Sequence, residues 1–209
     1  MMHDYVKKVL LSSGIAFSTV GFSAEQPQTD AKKVPHVIIV MGSVRDQSTS
    51  ASIAQALVKL ADKDRLDLEI IDLKKYPMPL VDLESAVSQD QTIRAWSAKV
   101  TQADAVILLV PNYNEGYSGV LKNALDVLSS EWHNKLVGVI GYSGGGGGGK
   151  GPVDFMQPVL KSLHMKPLQD SFVYIPFADS AVNEAQQFKK QETQESVVKL
   201  LQNIVKELA

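Results

Sequence analysis

The fold is decided by residues 36–50, which read HVIIVMGSVRDQSTS. Their first six residues form a mostly apolar, β-branched run that stops at Gly42, a pattern typical of a strand buried on both faces. Residues 48–61 then place apolar side chains at helical spacing, and Ser48 or Ser50 can cap the start of that helix. This segment is therefore one strand-to-helix step with a polar loop between the two elements.

The same alternation continues to the end of the chain. Further strands are predicted over 68–73, 105–111, 136–142 and 172–177, further helices over 89–103, 120–128 and 152–163, and a closing helix that runs to Leu208. Strands that are apolar throughout, rather than alternating, indicate a parallel sheet covered on both faces. With right-handed crossovers, five such strands favour an α/β fold with a doubly wound parallel sheet, strand order 2-1-3-4-5 and helices on both faces.

In sheets of this kind, ligands bind beyond the carboxyl ends of the strands, where the strand order reverses. The informative loops are therefore those that follow the first, third and fourth strands. They begin at Gly42, Pro111 and Tyr142.

The first of these loops has the composition of an anion site. Ser43, Arg45 and Ser48 offer two hydroxyls and a guanidinium beside the free N–H groups of a helix N-terminus. This predicts a phosphate site. The alternative is a solvated turn whose serines only cap the helix. The loop lacks the Lys-Ser/Thr pair of a mononucleotide phosphate loop, so a magnesium-bound triphosphate is not indicated.

The second loop, residues 111–119, reads PNYNEGYSG. Its amides, tyrosines and glycines offer hydrogen bonds, flat surfaces and close backbone approach, which a planar heteroaromatic ligand requires from the edge of a pocket. An ordinary turn rich in Asn and Gly has the same composition, so this alternative stays open.

The third loop contains six consecutive glycines, residues 144–149, followed by Lys150. They match the spacing G-x-x-x-x-G-K, but Gly151 stands where a mononucleotide loop has Ser or Thr for magnesium. A run without side chains also suits a backbone that lies flat against a ligand face or moves over it. A loose tether without any contact is the remaining alternative.

Composition excludes several classes of protein. The chain has 209 residues, of which 44% are hydrophobic, with no cysteine and a net charge of −2. Disulfides, thiolate metal sites and cysteine nucleophiles are therefore excluded, and no basic surface for nucleic acid is indicated. His36, His133 and His164 have no partners at metal-ligand spacing, so we assign no metal site.

Taken in order, the loops resemble the NADPH-dependent FMN reductase family, with its flavodoxin-like fold, over residues 36–208. The most specific matches are Gly42-Ser43-Val44-Arg45 with Ser48, and Pro111-Asn112-Tyr113-Asn114 followed by GVLKNALD at residues 119–126. The resemblance implies that the FMN phosphate is held by Ser43, Arg45, Ser48 and Ser50. It implies that the edge of the flavin ring is lined by Pro111, Asn112, Tyr113 and Asn114, and that the ring lies along Ser143, Gly144 and Gly145.

The resemblance also implies a function. FMN would take a hydride from NADPH or NADH and pass electrons to a small acceptor: a quinone, a free flavin, an azo compound or a metal oxyanion. Hydride transfer needs no acid or base, so we assign no catalytic residue. Proteins of this kind pair, which implies a homodimer or homotetramer. One alternative is a non-catalytic flavodoxin-like electron carrier, and a weaker one is a nucleotide-binding protein that uses residues 144–150.

The N-terminal residues differ from the rest of the chain. Lys7 and Lys8 precede a mildly apolar stretch, residues 9–22, which is too short to span a bilayer of about 30 Å. This composition is consistent with a secretory signal peptide and also with a frayed N-terminus. We expect residues 1–34 to lie outside the fold and residues 35–209 to form the FMN-binding domain. Reduced nicotinamide nucleotides favour the cytoplasm, whereas a signal segment would favour export.

Overall fold

The apolar runs of the sequence form one parallel sheet. The computed structural model describes residues 33–46, 48–80, 90–168 and 172–209. Its strands are β1 (His36–Met41), β2 (Asp67–Asp72), β3 (Ala105–Pro111), β4 (Leu136–Tyr142), β5 (Lys166–Pro167) and β6 (Val173–Ile175). They pair in the order β2-β1-β3-β4-β5, with β6 also on β4, and every pairing is parallel. The predicted flavodoxin-like order is thus confirmed.

The fifth position of the sheet is occupied by two short strands rather than one. Lys166 and Pro167 of β5 pair with the start of β4, and β6 pairs with its end, from Ile140 to Tyr142. The sequence predicts only the second of these strands, at residues 172–177. A two-residue strand that contains proline, which cannot donate to the ladder, has no recognisable sequence pattern, and such strands occur at sheet edges.

Five α-helices lie in the parts of the chain that the structure describes: α1 (Thr49–Leu60), α2 (Gln91–Gln102), α3 (Gly119–Asp126), α4 (Lys150–Ser162) and α5 (Gln191–Glu207). Side chains of Ser48, Asp90 and Ser118 cap the first three of them. Helix α4 begins two residues before its predicted start, because Pro152 falls in the first turn, where an N–H has no partner within the helix.

The helices cover both faces of the sheet, as the uniformly apolar strands predict. Ile38 and Val40 face a core formed with α2, α3 and α4, whereas Val37 and Ile39 face a core formed with α1 and α5. Trp96 of α2 is buried in the first core and donates through Nε1 to the carbonyl of Ala124, at 2.8 Å. The two cores hold the carboxyl ends of β1, β3 and β4 at one edge.

The predicted N-terminal extension, residues 1–34, lies outside the described residues except for its last two positions. The predicted start of α2 at Gln89 lies outside them as well. None of the helices in the described parts of the chain has a stretch both long and apolar enough to pass through a bilayer.

Candidate functional site

The loops after β1, β3 and β4 meet at the carboxyl edge of the sheet. The Ser43 hydroxyl lies 2.8 Å from the Tyr113 hydroxyl, which joins the first loop to the second. Pro111 ends β3 opposite Tyr142, the last residue of β4, and the Asn112 N–H donates to the Tyr142 carbonyl at 3.0 Å. The structure therefore brings together the three segments that the sequence singles out.

The first loop wraps the N-terminus of α1. Ser118, the N-cap of α3, donates a hydrogen bond to the Gly42 carbonyl and so fixes the start of the loop. Ser43 is buried, and the Arg45 N–H approaches its hydroxyl at 3.5 Å, while the Arg45 side chain is exposed. Ser48 caps α1 by accepting from the N–H two residues further on. The free N–H groups and the dipole of the α1 N-terminus thus lie at this loop, which also carries the exposed Arg45 side chain.

Five hydroxyls gather behind this loop, and we call them the hydroxyl cluster: Ser43, Ser48, Ser50, Tyr113 and Tyr142. The Ser48 and Ser50 hydroxyls hydrogen-bond each other, and Ser50 is fully buried. Because Ser50 has no exposed surface, its hydroxyl is connected to the cleft through Ser48.

Tyr142 has an unusual environment within the hydroxyl cluster. Among the described residues, its hydroxyl is the one buried side-chain polar atom without a hydrogen-bond partner. Burial, the largest effect, raises the pKa of Tyr142, while the nearby Ser50 and Ser48 hydroxyls oppose that rise. These hydroxyls are close enough to act on its pKa, yet none makes a directed hydrogen bond to it.

Charged groups surround the opening of the first loop. A cleft of about 380 Å³ is lined by Asp46, Ser48, Thr49 and Asp179, among others. Thr49 donates to the Asp179 carboxylate at 2.6 Å. Lys74 hydrogen-bonds Asp46, and this contact lowers the pKa of Asp46 and raises the pKa of Lys74. Because Lys74 neutralises Asp46 beside the cleft, the repulsion between Asp46 and an anion there is reduced.

The second loop folds into a tight turn. The Tyr113 N–H donates to the Gly116 carbonyl at 2.7 Å, and the Gly116 N–H donates back at 3.0 Å. Asn114 and Glu115 both have positive φ, 51° and 63°, as a type I′ turn requires. The Asn112 side-chain oxygen accepts from the Glu115 N–H at 2.9 Å. Asn112 and Asn114 thus shape the turn that presents Tyr113 to the site.

The glycine run consists of two different halves. Residues 144–147 are exposed, whereas Gly148 and Gly149 are buried with φ of 59° and 78°. A Cβ on Gly149 would lie 2.4 Å from the Tyr142 backbone nitrogen. The alternative of a loose tether is therefore wrong for the second half, because Gly149 packs closely on β4 and Gly148 packs on β6.

The exposed half is also held at its start. The Ser143 hydroxyl donates to the Gly145 carbonyl at 2.9 Å. The N–H groups of Phe177 and Ala178 donate to the carbonyls of Gly145 and Ser143, at 3.1 and 2.9 Å. The backbone of the Ser143-Gly144-Gly145 segment is therefore fixed, and the Asp179 carboxylate lies beside Gly144.

Lys150 does not point back into the glycine run. Its ammonium pairs with Asp154, one helical turn along α4, at 3.0 Å, and this contact raises the pKa of Lys150. With Lys150 engaged on the helix and Gly151 lacking a hydroxyl, the interpretation as a mononucleotide phosphate loop loses its two side-chain ligands.

Three contributors to the site were missed from the sequence: Tyr142, Ser118 and Asp179. Tyr142 ends an apolar run and has the pattern of a core residue. Ser118 is recognisable as a helix cap, but its bond to Gly42 connects residues 76 positions apart. Asp179 reaches Thr49 across 130 positions, so no local pattern could have assigned either contact.

The residues present fit FMN. The hydroxyl cluster and the α1 N-terminus suit a phosphate, and the unpartnered Tyr142 hydroxyl leaves a buried donor there without an acceptor. The turn carrying Tyr113 and the bare backbone at residues 143–145 offer a flat boundary to a planar ring.

Comparison with known proteins identifies the family. The family model described as NADPH-dependent FMN reductase matches residues 35–180, and the chain belongs to this family. The predicted family is thereby confirmed, together with the oxidoreductase class and the use of FMN and NAD(P)H.

Several named proteins are similar in sequence. An NAD(P)H-dependent FMN reductase of Schizosaccharomyces pombe is 33% identical over 58% of this chain, an alignment that spans 64% of the yeast protein. The NAD(P)H-dependent FMN reductase LOT6 of Saccharomyces cerevisiae is 34% identical over 66% of this chain and 80% of its own. A quinone reductase of Pseudomonas putida is 33% identical over 71% of this chain and 81% of its own.

A solved structure agrees in fold. FerB, a flavoenzyme NAD(P)H:(acceptor) oxidoreductase from Paracoccus denitrificans, superposes with a TM-score of 0.75 over 84% of this chain and 97% of its own. At 22% identity this likeness concerns the fold alone.

Proposed function

We propose that the protein transfers a hydride from NAD(P)H to bound FMN and then reduces a small organic acceptor, with a quinone as the leading class. The observation that carries the proposal is the convergence of three polar loops at the strand-order switch, joined by the 2.8 Å contact between Ser43 and Tyr113. The similarity to a protein named quinone reductase supports the choice of acceptor.

The chain's residues would bind and orient the reactants. Ser43, Arg45 and Ser48 would hold the phosphate at the N-terminus of α1, with Ser50 behind them. Tyr113, on its turn, would border the ring from one side, with Pro111, Asn112 and Asn114 around it. Ser143, Gly144 and Gly145 would lie along the ring. Bound FMN would supply the redox chemistry by accepting a hydride and donating two electrons.

The exposed glycine backbone suits the second reactant. Residues 144–147 carry no side chains of their own, and the exposed Phe177 ring lies beside Gly146, so this backbone allows close approach of a planar nicotinamide or quinone ring. Both reactants are planar and would use the same opening in turn. A site of this shape accepts planar molecules and does not distinguish their substituents, which is consistent with a quinone, a free flavin or an azo compound as acceptor.

The test is a two-stage absorbance experiment on FMN-loaded protein under anaerobic conditions. Addition of NADPH or NADH should bleach the flavin, and a quinone added afterwards should restore its colour. A protein that binds FMN but is not bleached would support the electron-carrier alternative instead. A protein that does not bind FMN would contradict both functions.

Replacing Arg45 by alanine is expected to weaken FMN binding by about ten- to hundredfold, since a charge-assisted hydrogen bond to phosphate is worth about 1.5–3 kcal/mol. The affinity for riboflavin, which lacks the phosphate, should not change. Lys150→Ala is the matched control: it also removes an exposed cation from the same edge, but one that pairs with Asp154. Equal losses in the two variants, measured by quenching of flavin fluorescence, would argue against a phosphate site at Arg45.

We also propose that the chain forms a homodimer or homotetramer. The support is an apolar surface at the first loop, where Val44 and Val120 are 37% and 38% exposed. Both line a groove of about 320 Å³ together with Tyr76 and Met78. Sedimentation at micromolar concentration should give the mass of two or four chains, and a monomer would contradict the proposal.

For location and domain boundary, we propose a cytoplasmic protein whose FMN-binding domain begins near residue 35. The supply of reduced nicotinamide nucleotides in the cytoplasm supports the location, and the family match from residue 35 supports the boundary. Intact-mass measurement on protein from its native cells tests the location, since loss of about two dozen N-terminal residues would indicate export.

A further inference from the structure

The Tyr142 hydroxyl is a buried donor that the fold itself does not use. Tyr142 is 6% exposed, packs in the core between the sheet and α1, and its oxygen has no hydrogen-bond partner among the described residues. An unsatisfied buried hydroxyl destabilises a protein, and phenylalanine would fill the same space without that cost. A hydroxyl kept under these conditions indicates a partner that arrives with a ligand.

The position of Tyr142 limits how it can act. Its oxygen is sealed from solvent, so a ligand at the opening of the first loop meets Ser48 before it could reach Tyr142. Ser50 is fully buried and hydrogen-bonds Ser48 through their hydroxyls. Ser48 lines the cleft, whereas Ser50 and the Tyr142 hydroxyl lie buried next to it.

Each hydroxyl carries one proton and can accept as well as donate. Ser48 and Ser50 hydrogen-bond each other, and the proton of that bond can belong to either serine. When an anion accepts the Ser48 proton, Ser50 must donate to the Ser48 oxygen, and both lone pairs of the Ser50 oxygen are then open to a further donor. Tyr142 is the donor beside it. Hydrogen bonds aligned in this way strengthen one another.

We propose that Tyr142 is a positioning residue for the FMN phosphate, because its hydroxyl donates to Ser50, Ser50 donates to Ser48, and the Ser48 proton is thereby directed at the phosphate. The inference rests on the proposed function and adds a basis for ligand specificity. The chain of hydroxyls discriminates FMN from riboflavin, because riboflavin has no phosphate to accept the Ser48 proton. The N-terminus of α1 lies at the Ser48 end of this chain of hydroxyls, and its dipole also favours a negative charge there.

The electrostatics of Tyr142 agree with a donor role. Burial raises its pKa, so the phenol keeps its proton at neutral pH and cannot compete with the phosphate as an anion. Because the Tyr142 oxygen has no partner in hydrogen-bonding geometry within the described part of the chain, a small side-chain shift of Tyr142 or Ser50 has to bring the two hydroxyls together. A bound anion therefore favours the arrangement of protons in which Ser50 can accept from the Tyr142 hydroxyl.

The experiment compares Tyr142→Phe with wild-type protein in three measurements: thermal stability of the flavin-free protein, affinity for FMN and affinity for riboflavin. The expected result is unchanged or higher stability, FMN binding weakened about three- to tenfold, and unchanged riboflavin binding. A fall of this size corresponds to one neutral hydrogen bond. Tyr174→Phe is the matched control, since it removes the same atom from the neighbouring strand, on the opposite face of the sheet, and should change none of the three.

Two outcomes would overturn the inference alone. One is wild-type FMN affinity in Tyr142→Phe. The other is loss of stability with equal losses for FMN and riboflavin, as a purely structural tyrosine would give. A wild-type protein that binds neither flavin would overturn the proposed function and the inference with it.

Discussion

Gly149→Ala is expected to destabilise the protein by about 2–5 kcal/mol. Gly149 has φ of 78°, which costs a residue with a Cβ about 1–2 kcal/mol. The added Cβ would lie 2.4 Å from the Tyr142 nitrogen and 2.7 Å from the Gly141 carbonyl carbon, and overpacking of this kind costs about 1–3 kcal/mol more. Since domains are stable by only about 5–15 kcal/mol, a large fraction of the stability is lost.

The measurement is denaturant unfolding of the flavin-free protein, with Gly147→Ala as the matched control. Gly147 belongs to the same glycine run, but a Cβ there would have no atom within 4 Å and no positive φ is required. The control should stay within about 0.5 kcal/mol of wild type, as surface substitutions usually do. If both variants were equally stable, the division of the run into a packed half and an exposed half would be wrong.

Gly42→Ala is expected to damage the site together with the sheet. A Cβ on Gly42 would lie 2.5 Å from the Leu109 carbonyl oxygen and 2.9 Å from the Pro111 side chain. The ends of β1 and β3 would have to separate, which disturbs the hydrogen bond from the Gly42 N–H to Leu109, now 3.0 Å. We expect a loss of about 1–3 kcal/mol in stability and at least about tenfold in FMN affinity, because Ser43 and Tyr113 would move apart.

Gly119→Ala is the control for this second prediction. Gly119 begins α3, and a Cβ there meets no atom within 4 Å. Alanine in a helix is better than glycine by about 0.5–1 kcal/mol, so this variant should be as stable as wild type or slightly more stable. Tight FMN binding by Gly42→Ala in fluorescence titration would show that the contact between the first two loops does not matter for the cofactor.

Much of the sheet could be predicted because a buried strand appears in the sequence as a continuous run of apolar residues. The runs at residues 105–111 and 136–142 are bounded by polar residues on both sides and coincide with β3 and β4. The split of the fifth position could not be predicted, since β5 has two residues and is defined only by its pairing with Leu136 and Val137.

The site could be predicted where chemistry is local and not where it depends on contacts between distant segments. Ser48 at the start of α1 is both a cap signal and a candidate ligand, and the structure puts it at the opening. Tyr142 has the same sequence signal as any aromatic residue at the end of a core strand. Its distinguishing property, a buried hydroxyl without a partner, exists only once Ser48 and Ser50 are folded beside it.

The divided fifth position has a consequence for how copies of this chain can meet. A sheet recruits strands from other molecules through long, regular edges, which leave a row of N–H and C=O groups open. Here one edge is interrupted between β5 and β6, and Pro167 lacks the N–H that a new neighbour would need. The opposite edge, β2, carries Asp67, Glu69 and Asp72. Neither edge offers a long, uncharged row of backbone groups to an added strand, so association in solution is expected through helix and loop surfaces.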